Sequence, residues 1–319
     1  MHVRCALSRV VAGCGVAAIA LVFTPVAASA QQTAPGRAKV AYGDSPPGFW
    51  FGTDSTQTPV RGPAPYRLPG ISGEYGGYIG MVGNWAAWQG CGDKVIFSAL
   101  NSQQANNNFT WHQAGIGTGL YWFMAGPGLD PHYNGSTSEA AAWGAAQAAQ
   151  AIADAAKVKT KYPVLFADVE LPGNAPGISP APDNGWNSVY TSPCSGRTSA
   201  SFIDPTVDRA DLDAFFSDLT AHSTFKPGVY SAPSVWASIF GTGAPATLTN
   251  VAEWTYTANT SSLSPVPSGW CLRRSTTCAQ FFGGITSASP EAVMWQWSGG
   301  GGTFNGIGDF DQIDMNRIP

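Results

Sequence analysis

The sequence predicts an α/β fold, a (β/α)8 TIM-like barrel with irregularities in a single domain, and three observations carry that reading. Residues 162–170 (Tyr-Pro-Val-Leu-Phe-Ala-Asp-Val-Glu) are apolar on both alternating faces until they end in two acids. That is the pattern of a strand covered on both sides in a parallel sheet. An Ala-rich stretch behind the capping box Ser136-Thr137-Ser138-Glu139 precedes this run, and an apolar run at residues 119–126 precedes the helix. Strand, helix and strand in that order imply a parallel pairing with a right-handed crossover. About eight strand-like runs with at least three interposed helices recur along the 319 residues, a length usual for one α/β barrel.

The first element is not part of that fold. Residues 1–30 read as a secretory signal peptide, with basic His2, Arg4 and Arg9, an apolar core at 16–23 and the small-residue cleavage site Ala28-Ser29-Ala30. Val11-Ala12-Gly13-Cys14 has the form of a lipobox, but no apolar region long enough to be the core of a signal precedes Cys14, so plain secretion is expected. Residues 31–47 mix Gln, Gly, Pro and Ser without periodicity and are expected to be a flexible lead into a domain at 48–319. The net charge is −4 at pH 7, and the leader holds basic but no acidic residues, so the exported chain is more acidic still. Its Lys and Arg are scattered, which gives no electrostatic footprint for nucleic acid. No later apolar run is long enough to span a bilayer.

Cys5 and Cys14 leave with the leader, and Cys91, Cys194, Cys271 and Cys278 remain. An even number in an exported chain points to disulfides, with three pairings open. Cys271 with Cys278 closes a short loop and is the first choice, leaving Cys91 with Cys194. No pair has zinc-ligand spacing, so no metal is expected.

Within the domain, residues 48–55 (Gly-Phe-Trp-Phe-Gly-Thr-Asp-Ser) are a short apolar strand ending in Asp54. Residues 75–82 and 94–100 are both strand-like, and either serves as the second barrel strand, the other being an addition. Residues 109–115 read as a helix leading into the strand at 119–126, whose core is Leu-Tyr-Trp-Phe-Met. After Glu170 comes a long loop, 171–205, rich in Pro, Gly, Asn and Ser; loops of that length commonly serve a site. Residues 208–222 follow as an amphipathic helix, with Leu212, Phe215, Phe216 and Leu219 at helical spacing. Strands are expected at 226–231, 250–256 and 292–297, with a helix at 234–240 and a last strand at 310–316.

The acids at strand ends are the candidates for chemistry. Asp168 and Glu170 share one face of their strand, at the end where α/β sheets bind ligands. Asp54 and Asp314 end the first and last strands; as structural alternatives they are a helix N-cap and a turn cap. Asp309, Asp311 and Asp314 have an alternative as a calcium loop, but lack the glycine and terminal Glu of the hand-loop pattern. Glu253 is a further acid that faces either a cleft or solvent. Among the aromatics near strand ends, Tyr121, Trp254, Trp295 and Tyr230 are candidates for stacking on sugar faces, against the plainer reading of core. No Gly-x-Ser-x-Gly elbow, His-x-x-x-His pair or phosphate-binding loop is present.

Several strand ends together resemble one family. Gly52-Thr53-Asp54-Ser55, Leu120-Tyr121-Trp122-Phe123, Asp168-Val169-Glu170, Gly228-Val229-Tyr230-Ser231, Trp295-Gln296-Trp297-Ser298 and Ile313-Asp314-Met315-Asn316 are similar, in order, to the strand-end motifs of family 25 glycoside hydrolases. These are secreted lysozymes (N-acetylmuramidases) on a modified α/β barrel, with relatives known only as glycoside-hydrolase-like. The resemblance covers most of the chain after the leader. It implies Glu170 as general acid, with Asp168, Asp54 and Asp314 as its partners, and Tyr121 and Trp295 near them. Trp122 stands where the family has His, the first motif departs from the family's form, and the loop after Glu170 is long.

Two functions follow as expectations. One is an exported glycoside hydrolase cleaving a cell-wall glycan such as peptidoglycan by carboxylate acid/base catalysis, with no cofactor. The other is a non-catalytic barrel that binds a cell-wall polysaccharide or a protein partner.

Overall fold

The computed structural model describes residues 49–55, 75–85, 97–98, 117–160, 162–171, 184–187, 202–242, 251–256, 285, 292–298 and 309–314. The chain divides into units 1–38 and 39–319, and every described residue belongs to the second. The expected signal peptide, the lead, Cys91, Cys194, Cys271, Cys278 and the helix at 109–115 lie outside the described residues.

Among the described residues, nine strands form one curled sheet: β1 (Phe49–Ser55), β2 (Tyr75–Trp85), β3 (Phe97–Ser98), β4 (Gly117–Phe123), β5 (Val164–Asp168), β6 (Lys226–Ser231), β7 (Ala252–Tyr256), β8 (Met294–Ser298) and β9 (Asp309–Asp314). From β2 through β4 to β8 every ladder is parallel, and β1 pairs in parallel with β2. β9 lies between β8 and β1 and runs antiparallel to both. The fold is therefore α/β with a curled, mainly parallel sheet, and it departs from a regular (β/α)8 repeat at its last strand. The choice left open for the second strand is also settled: β2 joins β1 to β4, while β3 is a short antiparallel addition to it.

Three helices cover the outer face of the described sheet: α1 (Thr137–Ala155), α2 (Pro205–His222) and α3 (Pro233–Phe240). Ser136 caps α1 as expected, its Oγ accepting from Glu139 N at 3.2 Å, but its own N donates to Asn134 Oδ1 at 2.9 Å and not to Glu139, so only half of the capping box forms. Ala140, Trp143, Gly144, Gln147, Ala148 and Ala151 then bury one face at helical spacing. α2 begins three residues ahead of its expected start, because Asp204 caps it by accepting from Thr206 N at 2.8 Å and Pro205 occupies the first turn. The two helices pack closely at Gly144, where a Cβ would fall 2.0 Å from the carbonyl oxygen of Asp211.

Alternation along the strands sorts the core into two layers. Leu120, Trp122, Leu165, Ala167 and Val169 pack outward against Ala148 and Ala151 of α1 and Leu212 and Phe215 of α2. Tyr121, Phe123, Val164, Phe166, Tyr230 and Trp254 fill the inner side. Gly228 makes room there for the Phe166 ring, which a Cβ would meet at 2.4 Å.

Candidate active site

The site grows from the end of β5. Asp168 is its last residue and lies in register between Phe123 of β4 and Tyr230 of β6. Its carbonyl accepts from Met124 N at 2.9 Å, and Val169 N donates to Tyr230 O at 2.9 Å, so the chain stays extended beyond the strand. Val169 is buried in the outer layer. Alternation therefore puts Asp168 and Glu170 together on the inner side, roughly 7 Å apart at their Cα atoms. Asp168 is 7% exposed and Glu170 is half-buried.

Below them the inner wall is aromatic and hydrogen-bonded. Tyr230 pairs in register with Trp254, and their rings meet at 4.4 Å with a 54° tilt. Phe166 and Tyr121 stand edge-on to Trp254 at 5.5 and 6.1 Å. The Tyr230 hydroxyl donates to Gln296 Oε1, and Trp254 Nε1 donates to Asp311 Oδ1 at 2.9 Å. Tyr121, Tyr230 and Trp254 are thus brought together near the acids, but as mutually packed rings only 4%, 5% and 1% exposed. They form a floor, which corrects the expectation of open stacking platforms.

Trp295 is elsewhere. It is fully buried and alternates with its neighbours Met294, which belongs to the inner layer, and Gln296, which binds Tyr230. Its side chain therefore lies on the helix side of the sheet, and it does not line the inner wall. Glu253, an open candidate from the sequence, also leaves the site: its Oε2 accepts from Ile285 N at 2.8 Å and it is buried.

The backbone places the other two predicted acids at opposite ends of one ladder. Asp54 pairs with Asp309, and Phe49 pairs with Asp314. Since β9 runs against the parallel strands, Asp314 falls at the end where they begin, away from Asp168. The last strand instead contributes Asp311, which is fully buried and held by Trp254. In the sequence Asp311 stood out only as a calcium alternative, and the Asp-x-Asp alternation at 309–311 was the one signal pointing to it.

Sequence reasoning also missed the polar contacts that hold the neighbouring loop. Gln147 of α1 pairs its amide with the main chain of Ala125, accepting from N at 2.8 Å and donating to O at 2.8 Å. Trp143 Nε1 donates to the same carbonyl at 3.2 Å. Behind them Asp211 is fully buried, and burial, reinforced by Asp208 and Asp130, pushes its carboxyl well above the ordinary range. Among the described residues, no group of three His, Cys, Asp or Glu is arranged to hold a metal. No helix among them is long and apolar enough to cross a membrane.

Chemically, the arrangement offers two carboxyls on one face, at the end of a central parallel strand, over a buried aromatic floor. Neighbouring carboxyls in partly dry surroundings resist joint ionisation, which is the condition for one to hold a proton while the other carries charge.

No model of a known protein family matches the chain, and no curated protein does. Solved structures similar to it include a bacterial lysozyme from Streptomyces coelicolor, at 16% identity and a TM-score of 0.46, over 84% of this chain and 94% of that one. Another is the spore cortex lytic enzyme SleM of Clostridium perfringens, at 15% identity and a TM-score of 0.47, over 85% of this chain and 69% of that one. A third is a family GH25 lysozyme from Aspergillus fumigatus, at 12% identity and a TM-score of 0.43, over 83% of this chain and 93% of that one.

Proposed function

We propose that the chain is an exported glycoside hydrolase of the lysozyme type, acting on the glycan of the bacterial cell wall. The observation that carries this is the pair Asp168 and Glu170, on one face at the end of β5, beside Tyr230 and Trp254 in the next two strands. Glu170, the more open of the two, is the general acid: it gives its proton to the glycosidic oxygen as the C1–O bond breaks, and a water supplies hydroxide to C1 while its other proton passes to the Glu170 carboxylate, which is thereby restored. Asp168 stays ionised, stabilises the positive charge that develops at the ring, and orients the water or the substrate's N-acetyl group. Asp54, on the first strand, is proposed as a further partner. Asp311 fixes the floor from the last strand, in place of Asp314.

The reaction needs no cofactor. Export follows from the leader at residues 1–30, and the pairs Cys271–Cys278 and Cys91–Cys194 would suit an oxidising compartment.

One observation favours a second reading, a non-catalytic barrel that binds a wall polysaccharide or a protein: Asp168 is only 7% exposed and its aromatic neighbours pack on one another. Release of reducing sugar from purified peptidoglycan by the secreted chain and by Glu170→Gln separates the two. Activity in the parent, lowered at least about a hundredfold in the variant, supports the hydrolase. Absence of release from both, with both sedimenting with cell walls, supports the binding barrel.

A further inference from the structure

We propose that Asn184 is a positioning residue for Glu170, and that the turn at residues 184–187 is a pin that sets this side chain's place at the end of β5. The proposal rests on the reading of Glu170 as general acid.

Glu170 lies two residues past the end of β5, directly after the last bond that ties this stretch to β6, Val169 N to Tyr230 O. Its carbonyl oxygen accepts a hydrogen bond from Asn184 Nδ2 at 2.8 Å, across fourteen residues of sequence. Asn184 is 2% exposed and has φ +53°, a left-handed conformation that Asn tolerates better than other residues with a side chain. In that conformation it holds two groups at once. The amide reaches Glu170, and the main-chain carbonyl accepts from Gly126 N at 2.8 Å. Gly185, at φ +81°, then accepts from Gly128 N at 2.8 Å. One turn thereby ties the chain after β5 to the chain after β4.

The pin is rigid because both of its sides are packed. Trp186 is fully buried and stands edge-on to Phe240 of α3 at 5.8 Å. On the other side Gly126 lies so close that a Cβ would fall 2.4 Å from Gly185 O, and a Cβ on Gly185 would fall 2.7 Å from Leu129 N. A general acid works only within hydrogen-bond reach of the oxygen it protonates. An acid beyond the end of a strand obtains that precision from a supporting contact, and misplacement by about 1 Å costs about a hundredfold. Asn184 supplies such a contact through the backbone, without a role in the chemistry itself.

The experiment measures kcat and KM across pH on solubilised peptidoglycan, using the secreted chain, Asn184→Gly, Asn184→Asp and Glu170→Gln, with thermal melting of each. Asn184→Gly keeps the left-handed backbone at no steric cost and removes only the amide. It is expected to lower kcat about tenfold while KM stays within about twofold. Asn184→Asp sets an ionised acceptor against the Glu170 carbonyl and regains a donor when protonated, so its activity relative to Asn184→Gly is expected to rise toward acidic pH. Parental kcat and pH profile in both Asn184 variants, with Glu170→Gln inactive, would overturn the positioning role, whatever the melting temperatures. An active Glu170→Gln would overturn the general-acid reading itself, and this proposal with it.

Discussion

The indole nitrogen of Trp254 donates a hydrogen bond to Asp311 Oδ1 at 2.9 Å, joining β7 to β9 across the intervening β8 on the inner side of the sheet. Both residues are buried, so the bond has no water to replace it. Trp254→Phe keeps a ring against Tyr230 but takes the donor away, and is expected to destabilise the fold by about 1–3 kcal/mol. Asp311→Asn keeps an oxygen acceptor and is expected to cost less. Chemical denaturation of both variants checks the order, and a Trp254→Phe variant as stable as the parent would contradict it.

The contact between α1 and α2 at Gly144 has no slack. Gly144→Ala places a methyl 2.0 Å from a backbone carbonyl, that of Asp211, and only 2.7 Å from its Oδ1. Neither helix can yield by a side-chain rotation alone, so the cost is expected at about 1–3 kcal/mol, or several degrees of melting temperature. An unchanged melting temperature would show that the helices are further apart than described.

Asp211 makes stability depend on pH. Burial holds its carboxyl protonated in the folded chain to a pH well above the ordinary carboxylate range, with Asp208 and Asp130 acting in the same direction. Unfolded, it ionises near pH 4, so folding takes up a proton between the two values. Stability is then unaffected below the unfolded pKa and falls as pH rises from there toward the folded pKa. Asp130, also raised chiefly by burial, adds to the same slope. Asp211→Asn, which leaves Gln147 an oxygen to bond, is expected to flatten this decline and to stabilise the chain at neutral pH. Denaturation midpoints from pH 4 upward test it, and parallel curves for parent and variant would contradict the assignment.

Asp168→Asn tests the partner of the acid. It preserves size and the backbone bond to Met124 but removes the charge proposed to stabilise the cleaving sugar. A fall in kcat of about tenfold to a thousandfold at little change in KM is expected. Steady-state kinetics on solubilised glycan provide the check, and a change confined to KM would make Asp168 a binding residue.

The parts of this fold that repeat with a local period could be read from the residues. β5, α1 and the face of α2 were legible because apolar spacing and the Ser136 box declare them. Direction within the sheet was not, since alternation reads the same forwards and backwards; the antiparallel β9 therefore carries Asp314 to the end where the parallel strands begin and leaves Asp311 further along the ladder toward Asp168. The face of Trp295 is hidden in the sequence for a related reason, because a strand apolar on both faces does not say which face is inner. The Asn184 pin is not legible in the sequence, because a single side chain bonding a distant carbonyl leaves no periodic trace, although Asn184-Gly185 is a common turn dipeptide.

Hydrolysis of a glycosidic bond is proposed to depend on Glu170. Digestion of purified peptidoglycan in 18O-labelled water, followed by mass spectrometry of the released fragments, tests it most directly, because hydrolysis leaves one water oxygen on the new reducing-end C1. One 18O on the reducing-end sugar is expected for the parent, and no labelled sugar for Glu170→Gln. Equal labelling by parent and variant would remove Glu170 from the chemistry, and unlabelled, intact glycan with both would contradict hydrolysis altogether.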